Sequence, residues 1–149
     1  MHQSTLHCDF ALPAEWEPQS AIMLTWPHAG TDWKPYLPEI TDTYLELADI
    51  ITRYEQLLVA TPDVPATRYQ LKKKLSAEQM SRVLLYEVES NDTWVRDHGP
   101  LTMVLRRKQN TWMVPYRILD FKFNGWGEKF RWEKDNAITL QLYYQAAFN

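Results

Sequence analysis

Three short apolar runs, "SAIMLTW" at 20–26, "QLLVATP" at 56–62 and "RVLLYEVES" at 82–90, have the length of buried strands. The first is closed by Pro27 and the second ends on Pro62, residues with no backbone N–H to give to a ladder. The sequence between the runs has another period. From Glu39 to Gln56, Ile40, Tyr44, Leu47, Ile51 and Tyr54 recur at steps of four and three, which is one face of an amphipathic helix. "PATRYQLKKKLSAEQM", at 65–80, reads as a polar helix or a pair of turns. The expected order is strand, helix, strand, helix, strand, and the expected class is α/β.

Beyond residue 100 the pattern changes. "LTMVLRR" and "TWMVPYRILDF" flank "KQN" at 108–110, a polar spacer of hairpin length, and Pro115 inside the second run suggests an edge strand or a bulge. "NAITLQLYYQAAF", at 136–148, has helical spacing through Ala137, Leu140, Tyr144 and Ala147, and Glu133 and Asp135 suit the start of that helix.

A chain of 149 residues has the size of one ordinary domain. Its net charge of −3 provides no general field for a polyanion, so neither nucleic acid nor an anionic membrane is an expected partner. The basic clusters at 72–74 and 106–108 read as solvated surface. Cys8 is the single cysteine, which leaves no internal disulfide framework and no cysteine-rich metal site. The opening residues lack the pattern of a signal peptide, and no apolar run approaches the ~18 residues of a membrane span. The expected compartment is the cytoplasm.

Between the third strand and residue 100 lies "NDTWVRDHGP", at 91–100. It follows a strand end, where binding residues gather on a rigid scaffold. Trp94 and Asp97 are three apart, so one turn can bring an aromatic face and a carboxylate to the same cavity. A carboxylate can accept two parallel N–H bonds from a guanidinium. The same residues also fit a structural reading, in which Asn91 and Asp92 cap a turn, Arg96 pairs with Asp97 or Asp92, and Trp94 fills core. His98 is expected to be a hydrogen-bonded structural histidine. His28 and Asp32 lack a third ligand and the helical spacing of a zinc pair, so no metal is expected. "GWG" at 125–127 is too short for a phosphate-binding loop and reads as a place of close backbone approach.

Three blocks, "PAEWEPQSAIMLTWPHAGTDW" (13–33), "NDTWVRDHGP" (91–100) and "LDFKFNGWGEKFRWEKD" (119–135), together resemble the N-terminal part of the agmatine deiminase family, also known as bacterial-type peptidyl-arginine deiminases. The resemblance implies a partial pentein α/β propeller, roughly the first two of five ββαβ modules, with residues 1–149 as a truncated N-terminal part of that domain. It implies hydrolysis of a guanidinium C–N bond: agmatine and water give N-carbamoylputrescine and ammonia, a step toward polyamines. In the family a cysteine thiolate forms a covalent intermediate and a histidine moves protons. The segments that carry that cysteine and histidine are not in this chain, and Cys8 precedes the first matching block. No catalytic residue is therefore expected here, and the chain alone is expected to be inactive.

On the matching motif, Asp97 corresponds to a guanidinium-binding aspartate and Trp94 to a tryptophan lining the substrate cavity. Asp92 and Arg96 correspond to supporting positions, expected to hold the loop through a charge-assisted contact. Trp26, Trp33 and Trp126 are expected to be packing or cavity wall. No cofactor is implied. The implied partners are a small guanidinium substrate and either the missing C-terminal modules or a second copy of the chain. Alternatives are a peptidyl-arginine or arginine deiminase, and a non-catalytic guanidinium-binding or interaction module.

Overall fold

A computed structural model of the chain describes residues 10–105 and 116–148, which fall into two compact units. Cys8, the basic cluster at 106–108, the spacer at 108–110 and Pro115 lie outside the described residues.

The larger unit comprises residues 19–99 and 122–148. Its centre is a parallel sheet of three strands in sequence order: β2 (Ala21–Thr25), β3 (Gln56–Thr61) and β4 (Val83–Glu87). The register places Leu24 beside Val59 and Val59 beside Leu85. Parallel neighbours need crossovers, supplied by α1 (Leu37–Tyr54) and by α2 (Val64–Lys74) with α3 (Ala77–Met80). The polar stretch 65–80 is two helices because Ser76 starts a new one. Its side chain accepts from the Gln79 amide at 3.2 Å and the Gln79 side chain accepts from the Ser76 amide at 3.1 Å, a reciprocal capping box.

Side chains alternate across a strand, and β3 divides its own between two cores. Leu57 and Val59 pack with Trp26, Ala48, Leu71 and Leu75 on the α1–α2 side. Leu58 and Ala60 pack with Val88, Ile138 and Leu142, the last two from α6 (Glu133–Tyr144). A strand covered on both faces has no polar face, which is why "QLLVAT" reads as a continuous apolar run. Each fully buried leucine or valine contributes roughly 1.5–3 kcal/mol relative to exposure.

Two helical faces differ from the sequence expectation. In α1 the fully buried positions are Ala48 and Thr52, backed by Tyr44, Leu45 and Ile51, while Leu47 and Tyr54 are exposed. In α6 the buried positions are Asp135, Ile138, Thr139 and Leu142, whereas Leu140 and Tyr144 are exposed. That face is held by two kinds of contact: Ile138 and Leu142 pack into the second core, and Asp135 and Thr139 beside them bond to the 91–98 loop.

The smaller unit, residues 10–18, 100–105 and 116–121, holds an antiparallel sheet in the order β1 (Phe10–Ala11), β5 (Leu101–Leu105), β6 (Tyr116–Leu119). Its register pairs Phe10 with Leu105 and Leu101 with Leu119, and the Arg117 guanidinium sits 4.3 Å from the centre of the Phe10 ring. No helix among the described residues is long and apolar enough to cross a membrane.

Candidate functional site

The site is built at the carboxyl end of β4. The Val88 amide donates to the Thr61 carbonyl at 2.9 Å, extending the ladder one residue, and Val88 and Ser90 are buried. The chain then leaves the sheet and makes a single helical turn, α4 (Val95–His98). That turn closes through the Gly99 amide, 2.7 Å from the Val95 carbonyl. A Cβ at position 99 would lie 2.6 Å from the same carbonyl oxygen, so only glycine closes it without displacement.

Trp94 and Asp97 are linked by the turn itself, the Asp97 amide donating to the Trp94 carbonyl at 2.9 Å. Both side chains are exposed, Trp94 at 51%. Trp94 is therefore not core filling. Its ring lies 6.2 Å from that of Trp33, tilted by 44°. Trp33 also donates through Nε1 to Asp92 Oδ1 at 3.1 Å, and the same oxygen accepts from the Thr93 amide at 2.7 Å. Asp92 thus ties the loop to the segment after β2.

Arg96 does not take part in this bracing. It is exposed, and among the described residues it forms no ion pair, so the expected contact with Asp92 or Asp97 is absent. The short helix leaves the Arg96 side chain in solvent, away from both carboxylates.

His98 closes the turn from below. It is buried, with Nε2 2.9 Å from Thr25 Oγ1 at the end of β2, and its Nδ1 has no partner among the described residues. Burial alone pushes its pKa down to about 4, so the ring is neutral near pH 7. His28 is a turn residue. The Gly30 amide donates to its Nδ1 at 3.1 Å, so Nε2 carries the proton and donates to Ser90 Oγ at 3.1 Å. With both ring nitrogens engaged, no metal pair with Asp32 is assembled, and a Ser90–His28 dyad would have the wrong polarity for catalysis.

A line of aromatic rings runs away from His98. Phe123 lies 6.5 Å from the His98 ring, Trp126 5.2 Å from Phe123, and Phe130 5.5 Å from Trp126, the last two contacts edge-to-face. Trp126 belongs to α5 (Gly125–Glu128), a single turn whose four residues all have positive φ. At Gly125 a Cβ would meet the Phe130 carbonyl oxygen at 2.5 Å, so the close approach read from "GWG" is to the neighbouring 130–132 segment. Trp26 is a core residue, buried and donating through Nε1 to Gln70 at 2.9 Å.

Asp135 is the residue that sequence reasoning placed only at a helix start. It is buried, and its Oδ1 accepts from the amides of Asn91 at 2.6 Å and Asp92 at 3.1 Å. Burial raises its pKa, and the charge on Asp92 raises it further, against the two amide bonds. A buried carboxylate must find donors, but a partner more than forty residues away carries no local signal.

The turn exposes an aromatic face and a carboxylate, groups whose chemistry can receive a planar cation. The carboxylate can take two parallel N–H bonds, and a ring face adds roughly 0.5–2 kcal/mol of cation–π attraction. No cluster of three or more metal-ligating side chains occurs among the described residues.

Residues 11–149 match the family described as Porphyromonas-type peptidyl-arginine deiminase. A Pectobacterium atrosepticum protein, provisionally named an agmatine deiminase, is 31% identical over 98% of this chain and 39% of its own length. Among solved structures, a cysteine-to-serine variant of the C. jejuni agmatine deiminase with substrate bound is similar, with a TM-score of 0.77 and 31% identity over 91% of this chain and 37% of that one. A Porphyromonas gingivalis protein provisionally named an arginine deiminase is 38% identical with a TM-score of 0.72, over the same shares. The chain spans well under half the length of the relatives it matches.

Proposed function

Because the chain belongs to the Porphyromonas-type peptidyl-arginine deiminase family, we propose that it is part of a guanidinium C–N hydrolase acting on agmatine, giving N-carbamoylputrescine and ammonia. The observation that carries this reading is the pairing of Trp94 and Asp97, both exposed on the single turn that follows β4. Asp97 accepts two guanidinium N–H bonds while Trp94 offers its ring face, so the pair orients the substrate carbon. Orientation matters because the guanidinium carbon is a poor electrophile, and positioning is the main thing a protein can add before attack. The similarity to the C. jejuni enzyme with substrate bound supports agmatine as the ligand.

Attack falls to a cysteine thiolate and proton transfer to a histidine that these residues do not include. His98, buried and neutral, is not that histidine. The 149-residue chain is half of a substrate clamp, inactive alone, forming roughly two of the five modules of a pentein propeller and working in the cytoplasm. Its partner is the remainder of the propeller or a second copy.

The ligand test is calorimetry of the chain with agmatine, arginine and an arginyl peptide. Agmatine binds, and Asp97→Ala weakens it about tenfold or more, as loss of a charged hydrogen-bond partner requires. No binding at millimolar agmatine, or equal binding by Asp97→Ala, would sink the reading. Ammonia release from agmatine by the purified chain would contradict the claim of inactivity. Arginine deimination is the second reading, favoured by the P. gingivalis relative, and preferential binding of arginine or the arginyl peptide would select it.

A further inference from the structure

The turn that bears Trp94 and Asp97 is held from outside its own sequence. Asp135, in the first turn of α6, is 2% exposed and accepts from two successive amides, Asn91 at 2.6 Å and Asp92 at 3.1 Å. Asn91 answers in kind: its Oδ1 accepts from the Lys134 amide at 2.8 Å, one of the helix-start donors that has no partner inside the helix. Farther along the same face, Thr139 Oγ1 donates to the His98 carbonyl at 3.3 Å. One face of α6 therefore grips the segment 91–98 at both ends.

The choice of residue is informative. A neutral acceptor would satisfy the two amides without the cost of burying a charge, a cost visible in the raised Asp135 pKa. What the carboxylate adds is strength, since charge-assisted bonds are shorter and roughly twice as strong as neutral ones. Asp92 helps locally, through Thr93 and Trp33, but Asp92 is itself part of the segment being held.

We propose that Asp135 is a positioning residue for guanidinium recognition: by gripping the Asn91 and Asp92 amides it fixes the turn that presents Trp94 and Asp97, an inference that rests on the guanidinium-binding reading above. Asp135 touches no ligand. Its effect passes through Trp94 and Asp97, and that sets the test. Agmatine affinity is measured by calorimetry for the wild-type chain, Asp135→Ala, Asp97→Asn and the double variant, while amide exchange at residues 91 and 92 is followed by NMR. Asp135→Ala weakens binding about tenfold and speeds exchange at both amides about tenfold, with β2–β4 amides unchanged. Asp135→Asn, which keeps an acceptor, recovers most of both losses.

In the Asp97→Asn background the added loss from Asp135→Ala shrinks well below tenfold, to the part that Trp94 carries, because one of the two positioned groups has less left to contribute. A full further tenfold loss there would mean a general structural role and would overturn the proposal, as would wild-type affinity in Asp135→Ala. If Asp135→Ala does not fold, Asp135→Asn decides on the smaller scale: exchange at 91 and 92 rises about two- to threefold, and unchanged exchange overturns it. If the wild-type chain binds no agmatine, the guanidinium reading fails instead, and the exchange at residues 91 and 92 alone decides whether Asp135 sets the turn.

Discussion

His98 is neutral because burial is the sole influence on its pKa, which falls to about 4 from an ordinary value of 6.5. Between those values the unfolded chain binds a proton that the folded chain refuses, so stability is complete above the ordinary value and is lost as pH falls toward the folded one. The loss amounts to roughly 3 kcal/mol at most. Urea denaturation from about pH 7 to about pH 4 is expected to show this decline, and His98→Gln to flatten it; an unchanged slope in the variant would contradict the assignment. Asp135 works in the opposite sense, since its raised pKa lets the folded protein take that proton first, so the difference between wild type and variant is the quantity to read. That Trp94 and Asp97 share one turn was legible from spacing, because adjacency along a turn is a one-dimensional property. The Arg96 pairing was not legible because charges adjacent in sequence need not meet once a helical turn directs one of them to solvent.

The strand runs could be located from composition alone because β3 is apolar on both faces, and the break between α2 and α3 is written in the Ser76–Gln79 cap. The buried face of α6 was not legible. Its apolar residues fit more than one stripe, and the buried one mixes Ile138 and Leu142 with Asp135 and Thr139, polar residues that a hydrophobic pattern ignores. The left-handed turn α5 is a different case, since the glycines announced a close approach but not that Trp126 and Glu128 would share its positive φ, at 56° and 62°. Each such non-glycine residue costs roughly 1–2 kcal/mol. Trp126 is compensated by its contacts with Phe123 and Phe130, whereas Glu128 is exposed. Glu128→Gly is therefore expected to stabilise the chain by about 1 kcal/mol, seen as a higher thermal midpoint. A lower midpoint would mean that Glu128 contributes something its exposure hides.

For the molecule as a whole, the larger unit leaves β2 and β4 as sheet edges among the described residues, and it leaves Tyr54, Tyr143 and Tyr144 largely exposed (80%, 66% and 76%). Unpaired edges and exposed aromatic rings favour association. The purified chain is expected to show a mass that rises with concentration in sedimentation experiments, and a strictly monomeric chain would contradict this. The order in which the chain is made has a further consequence. Synthesis delivers every side chain of the 91–98 turn long before its anchor, because Asp135 lies 44 residues beyond Asn91. Until α6 emerges and docks, the turn is a loop with a long closure still to make, and its chemistry exists only as composition. A nascent chain that ends just short of Asp135 would carry Trp94 and Asp97 intact and still be unable to present them.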